Sequence, residues 1–167
     1  ARSGEQSVKV LDAVDIVEGV LGSVASVVQK SGANLSSDIG PRPMTVLGNV
    51  TALNGAISNL LTNAIEAGAK NVKIELVADT KNVMISVKND GPMIKPEVSA
   101  HIFEPFYTTK SNGTGLGLAV VAAVAKVHQG DIRLVSNEKE TVFTMIIPKY
   151  EGVLEPSESF KDEKSVA

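Results

Sequence analysis

Residues 59–68, NLLTNAIEAG, lie inside a longer helical pattern that begins near Asn49. Its apolar residues recur at the three- and four-residue spacing of a helix that buries one face, and they are Val50, Leu53, Ile57, Leu60, Leu61, Ala64 and Ile65. Beside this stripe, Asn59, Asn63 and Glu66 follow at positions i, i+4 and i+7. Because Mg²⁺ takes oxygen ligands and binds substrate phosphates, one or two such side chains can hold it beside a nucleotide. Alternatively, the Asn residues only bond neighbouring backbone, as isolated helical Asn residues usually do.

The composition indicates one globular domain, since the 167 residues are 43% hydrophobic and 21% charged. A net charge of −3 and the lack of a basic run give no reason to expect nucleic acid as a partner. The chain has no cysteine, which excludes disulfides and a Cys nucleophile and permits the reducing cytosol. The longest apolar run, residues 116–125, is about half of the roughly 20 residues that cross a bilayer. We therefore predict a segment without membrane contact, for which a cytoplasmic location is permitted.

Three regions are predicted along the chain. Residues 1–11 are interpreted as the remnant of a preceding helical linker, residues 12–149 as the folded domain, and residues 150–167 as a flexible polar tail. Within the domain, Asp15 and Glu18 have the spacing of a capping box and predict the start of a first helix.

The remaining patterns predict a two-layer α/β sandwich of the α+β class, with a mixed sheet covered on one face by helices. A helix from residue 49 is expected to end at Gly68 in a left-handed cap. No periodicity returns between Pro92 and Gly117, and a loop this long is usually functional or partly disordered. The predicted strands are residues 34–39, 44–47, 72–76, 83–87, 132–136 and 141–148, and the last helix starts at residue 118.

A glycine-rich loop precedes that last helix. Glycine lets backbone approach a phosphate closely, and the helix N-terminus adds unpaired N–H groups, so this loop predicts phosphate binding. By itself the run is a weak signal, and it matches neither a dinucleotide fingerprint nor a Walker A loop. The residues concerned are Gly113, Thr114, Gly115, Leu116, Gly117 and Leu118.

Four motifs occur in a fixed order, namely NLLTNAIEA, NDGP, FEPFYTTK and GTGLGL. Together they resemble the asparagine box, first glycine box, phenylalanine box and second glycine box of bacterial sensor histidine kinases. The resemblance covers residues 12–149 and implies the catalytic, ATP-binding domain of the superfamily shared with gyrase, the Hsp90 chaperones and MutL, with its Bergerat-type fold. FEPFYTTK with a short loop to GTGLGL is similar to the nitrogen-regulator and flagellar-regulator kinases.

The resemblance implies a role for each matched residue. Asn63 is the magnesium ligand, and Asn59 is a phosphate or metal-shell partner that acts in catalysis with Lys110, the cation on the γ-phosphate. Glu66 stands where many such kinases carry Lys or Arg. Phe103 and Phe106 anchor a lid over the nucleotide or are plain core aromatics. The implied nucleotide-binding residues are Asn59, Asn63, Asn89, Asp90, Gly91, Ile94, Phe103, Thr109, Lys110, Gly113, Thr114, Gly115, Leu116, Gly117, Leu118 and Thr141.

The adenine-reading position departs from the family pattern. The family's Asp falls on Asn89 rather than on Asp90, and Met93 replaces the second glycine of that box. An Asn carbonyl can accept the bond from the adenine amino group, but a charged acceptor binds roughly twice as strongly. Asp90 can take this role only if the turn is shifted by one residue.

The resemblance implies transfer of the γ-phosphoryl group rather than hydrolysis. In hydrolysing relatives a Glu activates water at the position of Asn59, and Asn cannot act as a base. The acceptor in the family is a histidine on a separate helical dimerisation domain of the same protein, which then passes the group to a response regulator. Neither His101 nor His128 has the sequence context of such a phosphoacceptor, so the chain is interpreted as a monomeric catalytic domain of a homodimeric phosphoprotein. An anti-sigma-type serine kinase and a non-catalytic nucleotide-sensing module are the alternatives.

Overall fold

The computed structural model describes residues 7–108 and 117–152. A five-stranded sheet has the order β2-β4-β5-β7-β6, in which β2 is parallel to β4 and the other pairs are antiparallel. The elements in chain order are β1 (Lys9–Asp12), α1 (Ala13–Ser31), β2 (Asn34–Ile39), β3 (Thr45–Gly48), α2 (Val50–Glu66), β4 (Asn71–Ala78), β5 (Asn82–Asn89), α3 (Pro96–Ser99), α4 (Gly117–Val127), β6 (Asp131–Ser136) and β7 (Thr141–Pro148). Within these ranges, no helix combines the length and the apolar character that crossing a membrane requires.

The sheet buries one face and leaves the other polar. Alternate residues of β4, β5 and β7 enter the core, where Val72, Ile74, Leu76, Val83, Ile85, Val87, Phe143, Met145 and Ile147 are buried. On the other face, Glu75 pairs with Lys88 at 3.1 Å, and Ser86 lies 3.0 Å from Thr144. Helices α1, α2 and α4 cover the apolar face, which confirms the predicted α+β sandwich with a mixed sheet.

Helix α1 starts earlier than the sequence predicted. Its N-cap is Asp12, whose Oδ1 accepts the N–H of Val14 at 3.0 Å, so the capping box expected at Asp15 and Glu18 is wrong. The carboxylates of Asp15 and Glu18 instead bind Arg42, at 2.7 Å and 3.0 Å. Arg42 also contacts Asp12 at 3.2 Å. Asp12 is the N-cap because its backbone is extended and its side chain is buried.

A second, two-stranded sheet was not expected. Strand β1 pairs antiparallel with β3, and Lys9 lies opposite Gly48. The sequence analysis placed residues 9–11 in a linker outside the domain, whereas the structure makes them part of this strand. Strand β1 has only four residues, too few for a period-two pattern to stand out in the sequence.

Helix α2 lies where the sequence predicted it, and the structure adds Asn49 as its N-cap. The Asn49 side chain accepts the N–H of Ala52 at 2.9 Å and caps the first turn. At the other end Gly68 has a φ of +86° and donates its N–H to the Ile65 carbonyl, which confirms the left-handed glycine stop. Buried Leu53, Ile57, Leu60 and Leu61 fix the rotation of the helix and thereby place its polar stripe.

Candidate active site

The C-terminal half of α2 faces the start of α4. Asn59 is half-buried, and its Nδ2 lies 3.4 Å from the carbonyl oxygen of Gly117, the first residue of α4. Asn63 is half-buried one turn further along α2, and Glu66 is exposed in its last turn. The predicted stripe is therefore formed, and its first member meets the end of the glycine-rich motif.

Amide oxygen is a ligand that Mg²⁺ accepts, so the chemistry of Asn63 fits this ion. Within residues 7–108 and 117–152, no three His, Asp or Glu side chains come together as a protein-only metal site would need. A magnesium ion at Asn63 would therefore depend on phosphate oxygens and water for its remaining ligands.

Asn89 ends β5 with a buried side chain. Its Oδ1 accepts the N–H of Gly91 at 2.9 Å, and a β-carbon on residue 91 would meet this oxygen at 2.9 Å. Because only a carbonyl oxygen can accept an N–H, this bond fixes the orientation of the Asn89 amide. The tight turn thus holds the amide of Asn89 in one position and requires glycine at position 91.

Asp90 turns away from Asn89 and ties down the connection between α2 and β4. Its Oδ1 accepts the backbone N–H groups of Lys70 at 2.8 Å and Asn71 at 2.9 Å, and its Oδ2 accepts the Asn71 side-chain amide at 2.8 Å. The backbone N–H of Asn71, followed by the other bonds, holds the pKa of the Asp90 carboxyl below its ordinary value of 3.8. The two neighbours therefore differ in their contacts, since Asn89 bonds within its own turn and Asp90 bonds the connection between α2 and β4.

Replacing Asp90 with Asn is expected to lower the free energy of unfolding at neutral pH, with a difference that shrinks as the pH falls below about 4. A carboxyl whose pKa is lower in the folded state stabilises the fold above the unfolded pKa, and this contribution is lost as the pH falls through the folded pKa. Urea unfolding of both proteins at pH 3, 5 and 7 measures the difference. If the difference in free energy of unfolding between the two proteins stayed constant from pH 3 to pH 7, the lowered pKa of Asp90 would be contradicted.

The ends of three neighbouring strands, β5, β7 and β6, meet beside the turn at residues 89–91. Thr141 is opposite Asn89 on β5 and opposite Ser136 on β6, and its hydroxyl lies 2.6 Å from the Ser136 Oγ. That Oγ accepts the backbone N–H of Ile94 at 2.9 Å, and the Ile94 side chain packs against the core. Ser136 was missed in the sequence analysis, because only strand register reveals that it stands beside Thr141.

The two phenylalanines of FEPFYTTK have different environments. Phe103 packs edge to face on buried Phe143, with ring centroids 6.0 Å apart and planes at 85°. Phe106 is 76% exposed and has a φ of +67°, so the interpretation of both as core aromatics is wrong for Phe106. A bulky residue in this backbone region is uncommon and marks a segment held by its neighbours.

Several predicted site residues lie outside the described parts of the chain. These are Thr109, Lys110, Gly113, Thr114, Gly115 and Leu116. Of the same motif, Gly117 is exposed at the start of α4, and Leu118 packs against the core. The start of α4 is thus anchored by Leu118 next to Asn59.

Neither histidine is placed as a phosphoacceptor. His128 is buried, its Nε2 accepts the N–H of Asn49 at 3.0 Å, and its Nδ1 donates to the Val124 carbonyl at 2.7 Å. Both ring nitrogens of His128 are thus engaged by backbone groups. His101 is exposed and lies 2.9 Å from a Glu104 oxygen on its own turn.

The chain is similar in sequence to a known family and to curated proteins. Residues 48–151 match the family described as histidine kinase-, DNA gyrase B-, and HSP90-like ATPase. Sensor histidine kinase CpxA of Escherichia coli (strain K12) is 33% identical over 120 residues, which are 68% of this chain and 26% of CpxA. Heme sensor protein HssS of Staphylococcus aureus (strain JH9) is 39% identical over 109 residues, which are 61% of this chain and 23% of HssS.

Solved structures of histidine kinases are also similar to this chain. The nucleotide-free catalytic domain of histidine kinase ThkA superimposes with a TM-score of 0.79 at 29% identity, covering 86% of this chain and 96% of that domain. ThkA has also been solved in complex with the response regulator protein TrrA, a match with a TM-score of 0.74 at 26% identity that covers 86% of this chain and 42% of that one.

The chain belongs to the histidine kinase-, DNA gyrase B-, and HSP90-like ATPase family. Its relatives CpxA and ThkA are histidine kinases, so within this family it is similar to their ATP-binding domains. The chain spans about a quarter of the length of CpxA and of HssS.

Proposed function

We propose that this chain binds Mg-ATP and donates the γ-phosphoryl group to a histidine on a helical dimerisation domain of the same protein. The observation that carries the proposal is the meeting of Asn59 on α2 with Gly117 at the start of α4, 3.4 Å apart. This contact brings the polar stripe of α2 to the end of the glycine-rich motif. A nucleotide held there would have its phosphates between an oxygen-bearing stripe and a helix N-terminus.

Among the described residues, one group is suited to the adenine of the nucleotide and another group to its phosphates. Asn89, fixed by Gly91 and next to Thr141, is suited to the adenine amino group, because its carbonyl oxygen has a second lone pair. Asn59 and Asn63 lie on α2, further from the sheet ends, and are suited to the phosphates. Lys110 is proposed as the cation on the γ-phosphate.

Transfer is favoured over hydrolysis because Asn59 offers no base that could activate water. The histidine nitrogen forms a bond to the γ-phosphorus while the bond to the bridging oxygen breaks, and ADP leaves. Catalysis of such a step consists mainly of positioning and of stabilising charge on the phosphoryl oxygens. Mg²⁺ at Asn63 would supply charge neutralisation when bound.

The wider assembly follows from the same proposal. The complex of ThkA with the response regulator protein TrrA supports a response regulator as the downstream partner. A homodimer as the full-length state and the cytoplasm as the location of this domain are part of the same proposal and rest on the resemblance alone. The resemblance to nitrogen-regulator and flagellar-regulator kinases stays a prediction.

A phosphotransfer assay tests the proposal. The chain is incubated with γ-labelled ATP and Mg²⁺, together with a purified helical-hairpin domain that carries a phosphoacceptor histidine. Acid-labile label on the hairpin is expected, and it should be lost when that histidine is replaced by Gln. Acid-stable label on a serine would indicate a serine kinase, and nucleotide binding without transfer to several hairpins would indicate a sensing module.

ATP is expected to protect the segment between β5 and α4 from hydrogen exchange. Residues 90–108 contain a single short helix, α3, and Phe106 projects into solvent, so this segment has few buried contacts of its own. Exchange measured with and without Mg-ATP should show slower exchange at residues 94–108. Strand β2, at the far edge of the sheet, is the internal control. Equal exchange of both regions in the two states would count against a lid.

A further inference from the structure

An apolar groove lies at the end of the domain opposite the nucleotide site. The groove is open to solvent and has a volume of about 810 Å³. Strand β7 runs from Thr141, beside Asn89, to Pro148 on the groove wall, and α2 starts at the groove and leads to Asn63. Since a helix rises about 1.5 Å per residue, the groove and Asn63 are roughly 20 Å apart. The groove is therefore separate from the site of the proposed function.

Large apolar side chains on the groove wall face solvent. Val127 is 79% exposed and Val8 is 60% exposed, and both line the groove. Leu47 and Tyr150 add two further exposed apolar side chains to the same wall. Four such residues from different elements, converging on one concavity, are unlike scattered surface apolar residues and mark a binding surface.

The chain itself leads into this groove at Gly152. Lys149 and Tyr150 line the groove, and a β-carbon on Gly152 would overlap the Tyr150 ring, so the backbone folds back across that ring. Residues 153–167 follow, and they contain the apolar residues Val153, Leu154 and Phe160. Leu154 is four residues beyond Tyr150 and can reach roughly 13 Å from it, which suffices to enter the groove.

We propose that the C-terminal segment, residues 153–167, docks in this groove through Leu154 and Phe160. The other segment of the chain that starts at the groove, residues 1–6, has the sequence ARSGEQ and no large apolar side chain to fill it. The C-terminal segment therefore matches the groove in chemistry, and the N-terminal segment does not. The flexible tail predicted from composition thus has a docking site on its own domain.

Charge favours the same occupant. The C-terminal segment carries Glu155, Glu158, Asp162 and Glu163 against Lys161 and Lys164, so it is acidic. Lys149 is the one Lys, Arg, Asp or Glu among the described residues that line the groove. Attraction between exposed charges is screened by salt, so docking should weaken as the ionic strength rises.

Hydrogen exchange of the full chain tests the docking. In the variant Leu154→Asp with Phe160→Asp, backbone amides of residues 47–52 and 127–129 should exchange about tenfold faster, which corresponds to a docked population of about 90% in the parent. The matched control is Ser157→Asp with Ser165→Asp, which adds the same charge to the same segment and keeps its apolar residues. Val127→Asp, at an exposed position that the fold tolerates, should give the same increase from the groove side.

Three outcomes would overturn the proposal. Unchanged exchange in the Leu154/Phe160 variant would mean that the segment does not occupy the groove. Equal acceleration in the serine control would mean that added charge, rather than apolar contact, accounts for the effect. Protection of the groove that rises with protein concentration would identify a second copy of the chain as the occupant.

Discussion

Replacing Asn63 with Ala is expected to remove most of the magnesium dependence of ATP binding and to lower phosphotransfer by about a hundredfold. Loss of groups that merely orient a metal ligand costs about 10–100-fold in metal affinity or activity, and loss of a ligand itself should reach at least the upper end. Asn63 is the member of the α2 stripe that the resemblance implies as the magnesium ligand. ATP affinity in EDTA should change little, because the adenine contacts at Asn89 remain.

Calorimetric titration of ATP with and without Mg²⁺ measures this effect. The matched control is Asn54→Ala, which removes the same amide from the same helix. The Asn54 Oδ1 is buried and has no hydrogen-bond partner within the described parts of the chain, so its removal breaks no bond seen there. Magnesium-dependent binding that survives in Asn63→Ala, or that is lost equally in Asn54→Ala, would remove the metal assignment.

Replacing Asn89 with Leu is expected to weaken ATP binding by about 1–3 kcal/mol, because the adenine amino group would be left without an acceptor. The same change also removes the acceptor for the Gly91 N–H, which is 2.9 Å from the Asn89 Oδ1. The stability of the protein should therefore fall together with its affinity for ATP. Thermal unfolding of the nucleotide-free protein measures the loss of stability separately. Affinity is compared only at temperatures where the variant is folded.

Asn89→Asp separates the binding role from the structural one. An Asp keeps an oxygen for the Gly91 N–H and gives adenine a charged acceptor, so ATP binding should be kept or strengthened. Asp90→Ala should instead loosen the connection between α2 and β4, with a smaller loss of ATP affinity than Asn89→Leu. If Asp90→Ala abolishes ATP binding and Asn89→Leu leaves it intact, the adenine position belongs to Asp90.

The sequence was sufficient for features that depend on local periodicity. Helix α2 and its glycine stop at Gly68 follow from apolar spacing and from backbone preferences that act within a few residues. The β4–β5 hairpin followed from two alternating runs and a polar turn. The family likewise followed from four motifs in a fixed order, since each is read without knowledge of contacts.

The tertiary structure decided what depends on pairing between distant residues. Asp12 rather than Asp15 caps α1 because its side chain is buried and also accepts the N–H of Met44 at 3.2 Å. Strand β1 is a strand only because β3 lies beside it. In both cases the deciding partner is about 30 to 40 positions away along the chain, where periodicity carries no information.

The site itself divides in the same way. The sequence by itself determined that Asn59 and Asn63 share one helix stripe, because i and i+4 positions are neighbours on any α-helix. Only the fold decided that Asp90 turns to the Asn71 backbone while Asn89 stays buried beside Thr141, and that Ser136 joins them. Strand register and the direction of a turn are set by packing across the sheet, and a one-residue change in register would move every side chain to the opposite face.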